Sequence, residues 1–209
     1  MLVTNKLFII VITIIIILIS VILHEIMHGY IAKLLGDTTA EEEGRLTLNP
    51  IPHIDPITTL ALPIILAVTG QPIFGAAKPV PVIRQRLKWD EFGMALVAVA
   101  GPLTNLLLAM LGGLLLRTTG INDVYWTTWW LYFVQVNIGF FIFNLIPLPP
   151  LDGSRVLYAF APEPVQRIMD QLEPYGIFII LGLVLVGMPL IGPVLSSLYQ
   201  AITSAVLGL

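Results

Sequence analysis

Two histidines four residues apart, with a glutamate directly after the first, are the residues of this chain best suited to carry out chemistry. They are His24, Glu25 and His28, in the segment His-Glu-Ile-Met-His. Side chains four residues apart on a helix lie one turn apart on one face, so the two imidazoles can bind one metal ion. The glutamate lies on the adjacent flank, where its carboxylate can take a proton from a water molecule at that metal.

This spacing is the H-E-x-x-H pattern of zinc peptidases, and its surroundings argue against a chance match. The pattern lies in an apolar run that predicts a helix over residues 7–35, long enough to span a bilayer. Ionisable groups inside hydrocarbon are costly and are therefore usually functional. A structural pair of hydrogen-bonded histidines is the competing interpretation, and it explains three polar groups at ligand spacing less well. At about 1.5 Å per residue, His24 lies roughly 13 Å below the membrane surface.

Two histidines leave a catalytic zinc one protein ligand short, because such sites use three. We favour Asp152 as the third ligand, since it ends an apolar span in a proline-rich turn and is followed by Gly153. An ordinary Asp-Gly turn is the alternative interpretation. Other acidic residues lie in charged or exposed segments: Glu41, Glu42, Glu43, Asp170 and Glu173.

The composition indicates a polytopic membrane protein of one domain, residues 1–209. Of its 209 residues 57% are hydrophobic and only 11% are charged. The chain has no cysteine, which excludes disulfides, thiolate zinc ligands and a cysteine nucleophile. A formal net charge of −3 gives no indication of a nucleic-acid partner, whereas the apolar surface predicts contact with membrane lipid. The N-terminal run is predicted to be retained, because it is too long for a signal peptide and contains the ligands.

The predicted fold is an all-α polytopic membrane protein with a three-helix catalytic core and C-terminal helices. The core covers about residues 7–154, with spans at 7–35, 92–116 and 129–146, and the C-terminal helical region covers about 175–207. Residues 57–70 are apolar but short and broken by Pro63, which suggests a re-entrant segment. Residues 45–48 and 77–82 are predicted as strands of a small membrane-associated β-hairpin or sheet.

The third ligand can be tested against topology, because Asp152 meets His24 only if the first and third spans run in the same direction. One crossing must then lie between them, which makes residues 57–70 re-entrant. Eight basic residues fall on the side where the first span ends and two on the other. This fits the positive-inside rule with the active site nearer the cytoplasmic face. If 57–70 crossed instead, the division would be seven to three.

Three motifs in this order resemble the site-2 protease family of intramembrane zinc metalloproteases. They are His24-Glu25-x-x-His28, Gly101-Pro102-x-x-Asn105 and Asn144-x-x-Pro147-x-Pro149-x-Leu151-Asp152-Gly153. Residues 49–56 and 77–82 resemble the compact prokaryotic branch, without a PDZ or CBS domain. The resemblance covers about residues 21–154 and implies a prokaryotic cell membrane as the location.

The resemblance implies a metalloendopeptidase that cleaves transmembrane segments of protein substrates. It implies one Zn²⁺ per chain on His24, His28 and Asp152, with Glu25 as general base. It also implies that Asn144 holds the substrate backbone or the developing oxyanion, and that the strand-like segments receive the substrate.

Further candidate substrate contacts are Lys78 and Val80 on the second strand-like segment, and Asn137 and His53, either of which could stabilise the oxyanion. A non-proteolytic membrane metal-binding protein or divalent metal transporter is the alternative function, because intramembrane histidine and aspartate also suit an ion path.

Overall fold

The computed structural model describes residues 6–61, 65, 68, 77–120 and 123–209, and this part of the chain is built from helices. The predicted all-α architecture is therefore confirmed. The helices are α1 (Lys6–Leu34), α2 (Thr39–Glu42), α3 (Asp90–Thr118), α4 (Val124–Asn144), α5 (Asp152–Phe160), α6 (Glu163–Leu172), α7 (Gly176–Gly182) and α8 (Met188–Leu207). Short 3₁₀ or π turns lie at Ile51–His53, Pro56–Ala61, Arg84–Arg86, Glu173–Tyr175 and Leu183–Gly187.

Three helical stretches within the described residues are long and apolar enough to cross a membrane. They are Phe8–Leu34 in α1, Asp90–Thr118, which is α3, and the stretch Glu163–Leu207. The chain is therefore an integral membrane protein. Helix α4, the third predicted span, is not among them, because polar side chains such as Gln135 and Asn137 interrupt its apolar sequence.

Helix α3 runs antiparallel to α1. The carbonyl of Val97 contacts His28, and Asn105 contacts His24, so residue numbers rise along α3 as they fall along α1. Ala32 of α1 and Val97 also belong to one buried apolar cluster. The two helices are therefore in contact along the same stretch that carries the H-E-x-x-H motif.

Helix α4 runs in the same direction as α1. The Phe8 and Tyr125 rings, near the starts of the two helices, lie 5.1 Å apart, and Asp152, just beyond the end of α4, reaches His24. This is the parallel arrangement that a shared ligand site requires. A second buried cluster joins α3 and α4, with side chains of α8 packed against it: Ala109, Val134 and Ile138, with Tyr199, Ile202 and Val206.

A tight turn after α4 brings Asp152 back toward α1. Residues 147–150 include three prolines, which cannot continue the helix. Gly153 then packs on the end of α4 so closely that a Cβ there would lie 2.3 Å from the carbonyl oxygen of Leu145 and 2.7 Å from that of Ile146. The glycine after the aspartate is thus required by this close approach, and it places Asp152 as the first residue of α5.

The described residues contain no β-strand, so the predicted hairpin or sheet is not confirmed. Residues 77–83, here called the strap, have no regular secondary structure. Pro79 and Pro81 have no N–H group to give to a sheet. The hydrogen bonds of the strap go to loops and side chains instead: Lys78 N to the His53 carbonyl (2.8 Å), Val80 N to Glu25 Oε2 (2.9 Å) and Ile83 N to Asp37 Oδ2 (2.6 Å).

Two other predictions concern segments rich in proline. The predicted re-entrant segment 57–70 begins in the turn Pro56–Ala61, and most of the remainder lies outside the described residues. The predicted C-terminal helical region 175–207 contains α7, the π turn Leu183–Gly187 and α8 in succession. Helix α8 begins at Met188 and contains Pro193. Pro189 lies in the first turn of that helix, where a missing N–H group costs little.

Asp37, just beyond the end of α1, is hydrogen-bonded to the strap. Its side chain is fully buried and accepts hydrogen bonds from the hydroxyl and backbone N–H of Thr39 and from the N–H of Ile83. Burial by itself raises the pKa of Asp37, but these hydrogen bonds and the charge of Arg86 lower the pKa below its ordinary value of 3.8 overall. The ionised form is therefore favoured by folding.

We expect Asp37→Asn to lower the free energy of unfolding in detergent by roughly 1–3 kcal/mol, since a buried acceptor is lost. A lowered pKa in the folded state stabilises the protein above the pKa of the unfolded state, and this contribution disappears as pH falls through the folded pKa. The difference in melting temperature between Asp37→Asn and wild type should therefore be largest at neutral pH and should shrink below pH 3.8. Exposed Glu43→Gln is the control, and a difference that persists undiminished at pH 3 would contradict the assignment.

Candidate metal centre

His24 and His28 lie one turn apart on the face of α1 that meets α3, as their spacing predicts. They are 7% and 8% exposed. Their rings are perpendicular, at 85°, and their Nε2 atoms lie 2.9 Å apart. Both rings therefore present the same nitrogen to one point.

Asp152 brings a carboxylate to this point from the start of α5. Its Oδ2 lies 3.1 Å from Nε2 of His24 and its Oδ1 lies 3.4 Å from Nε2 of His28. The side chain is 20% exposed, so the group lies at the edge of a buried site. Residues that are more than 120 positions apart in the chain thus contribute adjacent ligand atoms.

The positions of the imidazole protons follow from the partners of the other ring nitrogens. Nδ1 of His28 lies 2.8 Å from the Val97 carbonyl, and Nδ1 of His24 lies 2.6 Å from Oδ1 of Asn105. Both partners are acceptors, so each Nδ1 carries a proton and each Nε2 is the nitrogen that can bind a metal. Oδ2 of Asp152 is buried and accepts no hydrogen bond, although Nε2 of His24 is close to it. Two ring nitrogens and a carboxylate, all able to bind a cation, thus face one another here.

Gly101 on α3 provides the space for such a cation. A Cβ at this position would lie 2.5 Å from Nε2 of His28 and 2.6 Å from Nε2 of His24. Any larger residue would place a methyl group against the two lone pairs. The glycine thus leaves open the side of the imidazoles from which an ion must be bound.

The set of ligand atoms fits zinc. Two imidazole nitrogens and one carboxylate oxygen are a usual set for catalytic zinc, and they leave a fourth position for water. Ligands about 2.0–2.1 Å from a tetrahedral zinc are roughly 3.3 Å apart. The separation of 2.9 Å between the two nitrogens, and those of 3.1 and 3.4 Å from the nitrogens to the two oxygens of Asp152, lie around that value.

Glu25 lies beside the two histidines but faces the strap. One of its carboxylate oxygens and one ring nitrogen from each of His24 and His28 all lie within 4.8 Å of one another. Its Oε2 accepts a hydrogen bond of 2.9 Å from the backbone N–H of Val80. This bond fixes one oxygen of the carboxylate next to the candidate metal centre.

The two asparagines predicted to contact substrate occupy different environments. Asn144 is partly exposed at the end of α4, and its Nδ2 donates to the carbonyl of Phe140 in the same helix, at 3.1 Å. Asn137 has no exposed surface and lies behind His24, where it bonds to Asn105 and Ser20. The structure therefore places Asn137 in contact with the other two helices of the core.

The remaining predicted contacts belong to the strap and the loop beside it. His53 is 3% exposed, and its Nε2 lies 3.0 Å from the Thr47 carbonyl. The Lys78 carbonyl accepts a hydrogen bond of 2.6 Å from Nη2 of Arg45, and Val80 is buried against α1. His53 thus joins the loop and the strap, and its ring is not brought to the three converging ligand atoms.

The roles of Gly101 and Asn105 in support of the site do not follow from the sequence, where they are predicted only as members of the second family motif. One available signal was that an amide in an apolar span needs a hydrogen-bond partner. Another was that Ser20 precedes His24 by four residues and so lies on the same face of α1.

Comparisons with known proteins agree with this chemistry. The model of a family described as Peptidase family M50 matches residues 118–187. The chain is 38% identical over 195 residues to "Putative zinc metalloprotease YwhC" of Bacillus subtilis, a match that covers 86% of this chain and 84% of the relative. It is 32% identical over 174 residues to "Putative zinc metalloprotease Rip2" of Mycolicibacterium smegmatis, covering 80% of this chain and 64% of the relative.

An archaeal relative is more distant. The chain is 30% identical over 138 residues to "Putative zinc metalloprotease MJ0611" of Methanocaldococcus jannaschii, covering 65% of this chain and 63% of that protein. No solved structure matches the chain.

Proposed function

Because this chain belongs to peptidase family M50, the family of the site-2 proteases, and is a zinc metalloprotease, we propose that it cleaves membrane-spanning segments of other proteins within the bilayer. The observation that carries the proposal is the convergence of His24, His28 and Asp152 beside Glu25 on a helix long enough to cross a membrane. The membership in a metalloprotease family sets aside the alternative of a metal transporter.

In this proposal His24, His28 and Asp152 hold one Zn²⁺, which when bound supplies Lewis-acid activation of water and of the scissile carbonyl. Glu25 is the general base: its carboxylate accepts the proton of the attacking water and returns it to the leaving amine. The Val80 N–H holds one carboxylate oxygen of Glu25, so the base keeps a single orientation toward the site.

Asn144 is the residue that we propose to stabilise the oxyanion or the substrate backbone. It is partly exposed, and it precedes the turn that carries Asp152. Asn137 and His53, the other candidates, are buried with hydrogen bonds to helix and loop. We therefore propose for them a role in support of the site.

The substrate must reach the site as an unwound segment, because the peptide bonds of a membrane helix are covered by their own hydrogen bonds. We propose that the strap region, with Lys78 and Val80, receives this segment through backbone groups other than those already bonded to His53, Arg45, Glu25 and Asp37. With eight of the ten basic residues assigned to the side on which α1 ends, we place the active site nearer the cytoplasmic face.

The test is to incubate the purified protein in detergent with a single-span substrate and to map the cleavage sites by mass spectrometry. We expect cuts within the apolar segment, loss of cleavage with a zinc chelator and recovery with added Zn²⁺. Cuts confined to the polar flanks, with no cut in the span, would overturn intramembrane cleavage. Zinc flux into proteoliposomes without any cleavage would instead support the transporter.

The hydrogen bond from Val80 to Glu25 can be removed without a change in the candidate ligands. Val80→Pro deletes the N–H group, and Val80→Ala keeps it while it shortens the side chain. Because a hydrogen bond to a charged group contributes about 1.5–3 kcal/mol, we expect kcat to fall roughly 10- to 100-fold in the proline variant. Both variants should bind one zinc per chain. Equal kcat for the two variants would show that this bond does not position Glu25.

A further inference from the structure

A chain of fully buried polar side chains lies behind His24, one from each of three helices. Ser20 of α1, Asn105 of α3 and Asn137 of α4 each have no exposed surface. Amides buried in an apolar region cost several kcal/mol unless their hydrogen bonds are made. Here they are made to one another and to backbone carbonyls.

The direction of these hydrogen bonds is set at Asn137, the side chain of this buried row that lies farthest from His24. Nδ2 of Asn137 lies 2.9 Å from the carbonyl of Phe133, which can only accept, and 2.9 Å from Oγ of Ser20. The amide of Asn137 must therefore turn its Oδ1 toward Asn105. That oxygen accepts from Nδ2 of Asn105 at 2.9 Å.

The same constraint then passes to the histidine. With Nδ2 of Asn105 used as donor toward Asn137, Oδ1 of Asn105 faces Nδ1 of His24 at 2.6 Å. An oxygen acceptor at this distance requires the proton on Nδ1, so Nε2 is left as the lone pair that faces His28 and Asp152. An acceptor-only carbonyl on α4 thus determines the tautomer of an imidazole on α1.

We propose that Asn105 and Asn137 are positioning residues of the zinc centre, which act as a relay that holds His24 in the tautomer and orientation that bind the metal. The inference rests on the proposed role of His24 as a ligand. The second histidine, His28, needs no relay, because the carbonyl of Val97 accepts the hydrogen bond from its Nδ1 directly.

A purely structural role predicts different behaviour. Buried amides also join membrane helices by hydrogen bonds, and a network with only that role would affect stability without regard to which atom faces His24. The relay instead requires an acceptor at position 105. Asn105→Asp retains an acceptor for His24, and a protonated carboxyl at this position can still donate to Oδ1 of Asn137, as Nδ2 of Asn105 does. Asn105→Leu has similar size and removes the acceptor.

The experiment is the zinc affinity of the full-length protein in detergent, measured by competition with a chromophoric chelator. We expect Asn105→Leu and Asn137→Leu to weaken zinc binding about 10- to 100-fold, the usual effect of losing a partner that orients a ligand. Asn105→Asp should bind zinc within a few-fold of wild type. Val134→Ala, a buried packing change on the same helix as Asn137, should leave zinc affinity unchanged while it lowers the melting temperature.

His24→Ala separates the inference from the function on which it rests. If this variant binds zinc as wild type does, the proposed ligand set is wrong. If it binds zinc poorly and Asn137→Leu adds no further loss in that background, the relay acts through His24 as proposed. Equal losses in Asn105→Leu and Asn105→Asp, or wild-type affinity in Asn137→Leu, would overturn the relay and leave the ligand set intact.

Discussion

Gly101→Ala should abolish zinc binding although it adds only one methyl group. The Cβ would lie 2.5 Å from Nε2 of His28 and 2.6 Å from Nε2 of His24, closer than these atoms can approach without a shift. The imidazoles cannot move away freely, because each Nδ1 is bonded to α3. We therefore expect the loss of zinc affinity to exceed the roughly 10- to 100-fold loss caused by removing a supporting hydrogen bond.

The substitution should also lower the stability of the fold slightly. The overpacking cost of about 1–3 kcal/mol is only partly offset by the roughly 0.8–1.0 kcal/mol by which alanine is favoured over glycine in a helix. The matched control is Gly139→Ala in α4, where a Cβ meets no atom within 4 Å. Zinc content and zinc affinity of both purified variants give the answer. One tightly bound zinc per chain in Gly101→Ala would contradict the geometry proposed for the centre.

Asp152→Asn should weaken zinc binding and cleavage together. The carboxylate is a charged ligand, and an amide oxygen at the same place is a much weaker one. Its oxygens lie 3.1 and 3.4 Å from Nε2 of His24 and His28, so the substitution removes a negative charge from beside both ligand nitrogens.

The measurement is the melting temperature with and without a zinc chelator. For wild type we expect a large increase in melting temperature on zinc binding, and for Asp152→Asn we expect little increase. Asp170→Asn, an exposed acidic residue on α6, is the control and should behave as wild type. A large increase with zinc in Asp152→Asn would show that this residue is not a ligand.

The parts of the structure that the sequence predicted are those that depend on local pattern. The apolar runs give the long helices, and the spacing of His24 and His28 places them on one face, because helical periodicity relates residues four apart. Asp152 could be proposed from its turn and from the number of ligands that zinc needs. Even the parallel direction of α1 and α4 followed from the requirement that these residues meet.

The parts that could not be predicted depend on how the helices are rotated against one another. An asparagine in an apolar helix must find a partner, but its sequence does not say whether the partner is substrate or another helix. Asn137 was therefore assigned to substrate, whereas it faces Asn105 and Ser20. Gly101 lies over the imidazoles only because α3 presents that face to α1.

The strap shows a second kind of limit. Alternation of small apolar residues and prolines in residues 77–82 favours an edge strand, yet strand formation needs a partner that lies elsewhere in the chain. In the described residues the N–H groups of the strap are used by His53, Glu25 and Asp37. The carbonyl of His53 and the carboxylates of Glu25 and Asp37 thus take the place of a neighbouring strand, and local sequence does not contain that information.

The most direct test of the central proposal compares purified wild type with Glu25→Gln, with zinc content and cleavage of a single-span substrate measured on the same samples. We expect about one zinc per chain in both, because the substitution leaves His24, His28 and Asp152 in place. Cleavage should fall by about 10²- to 10⁴-fold in the variant, the usual contribution of a general base. Cleavage at the wild-type rate by zinc-loaded Glu25→Gln would contradict the assignment of Glu25 and the mechanism built on it.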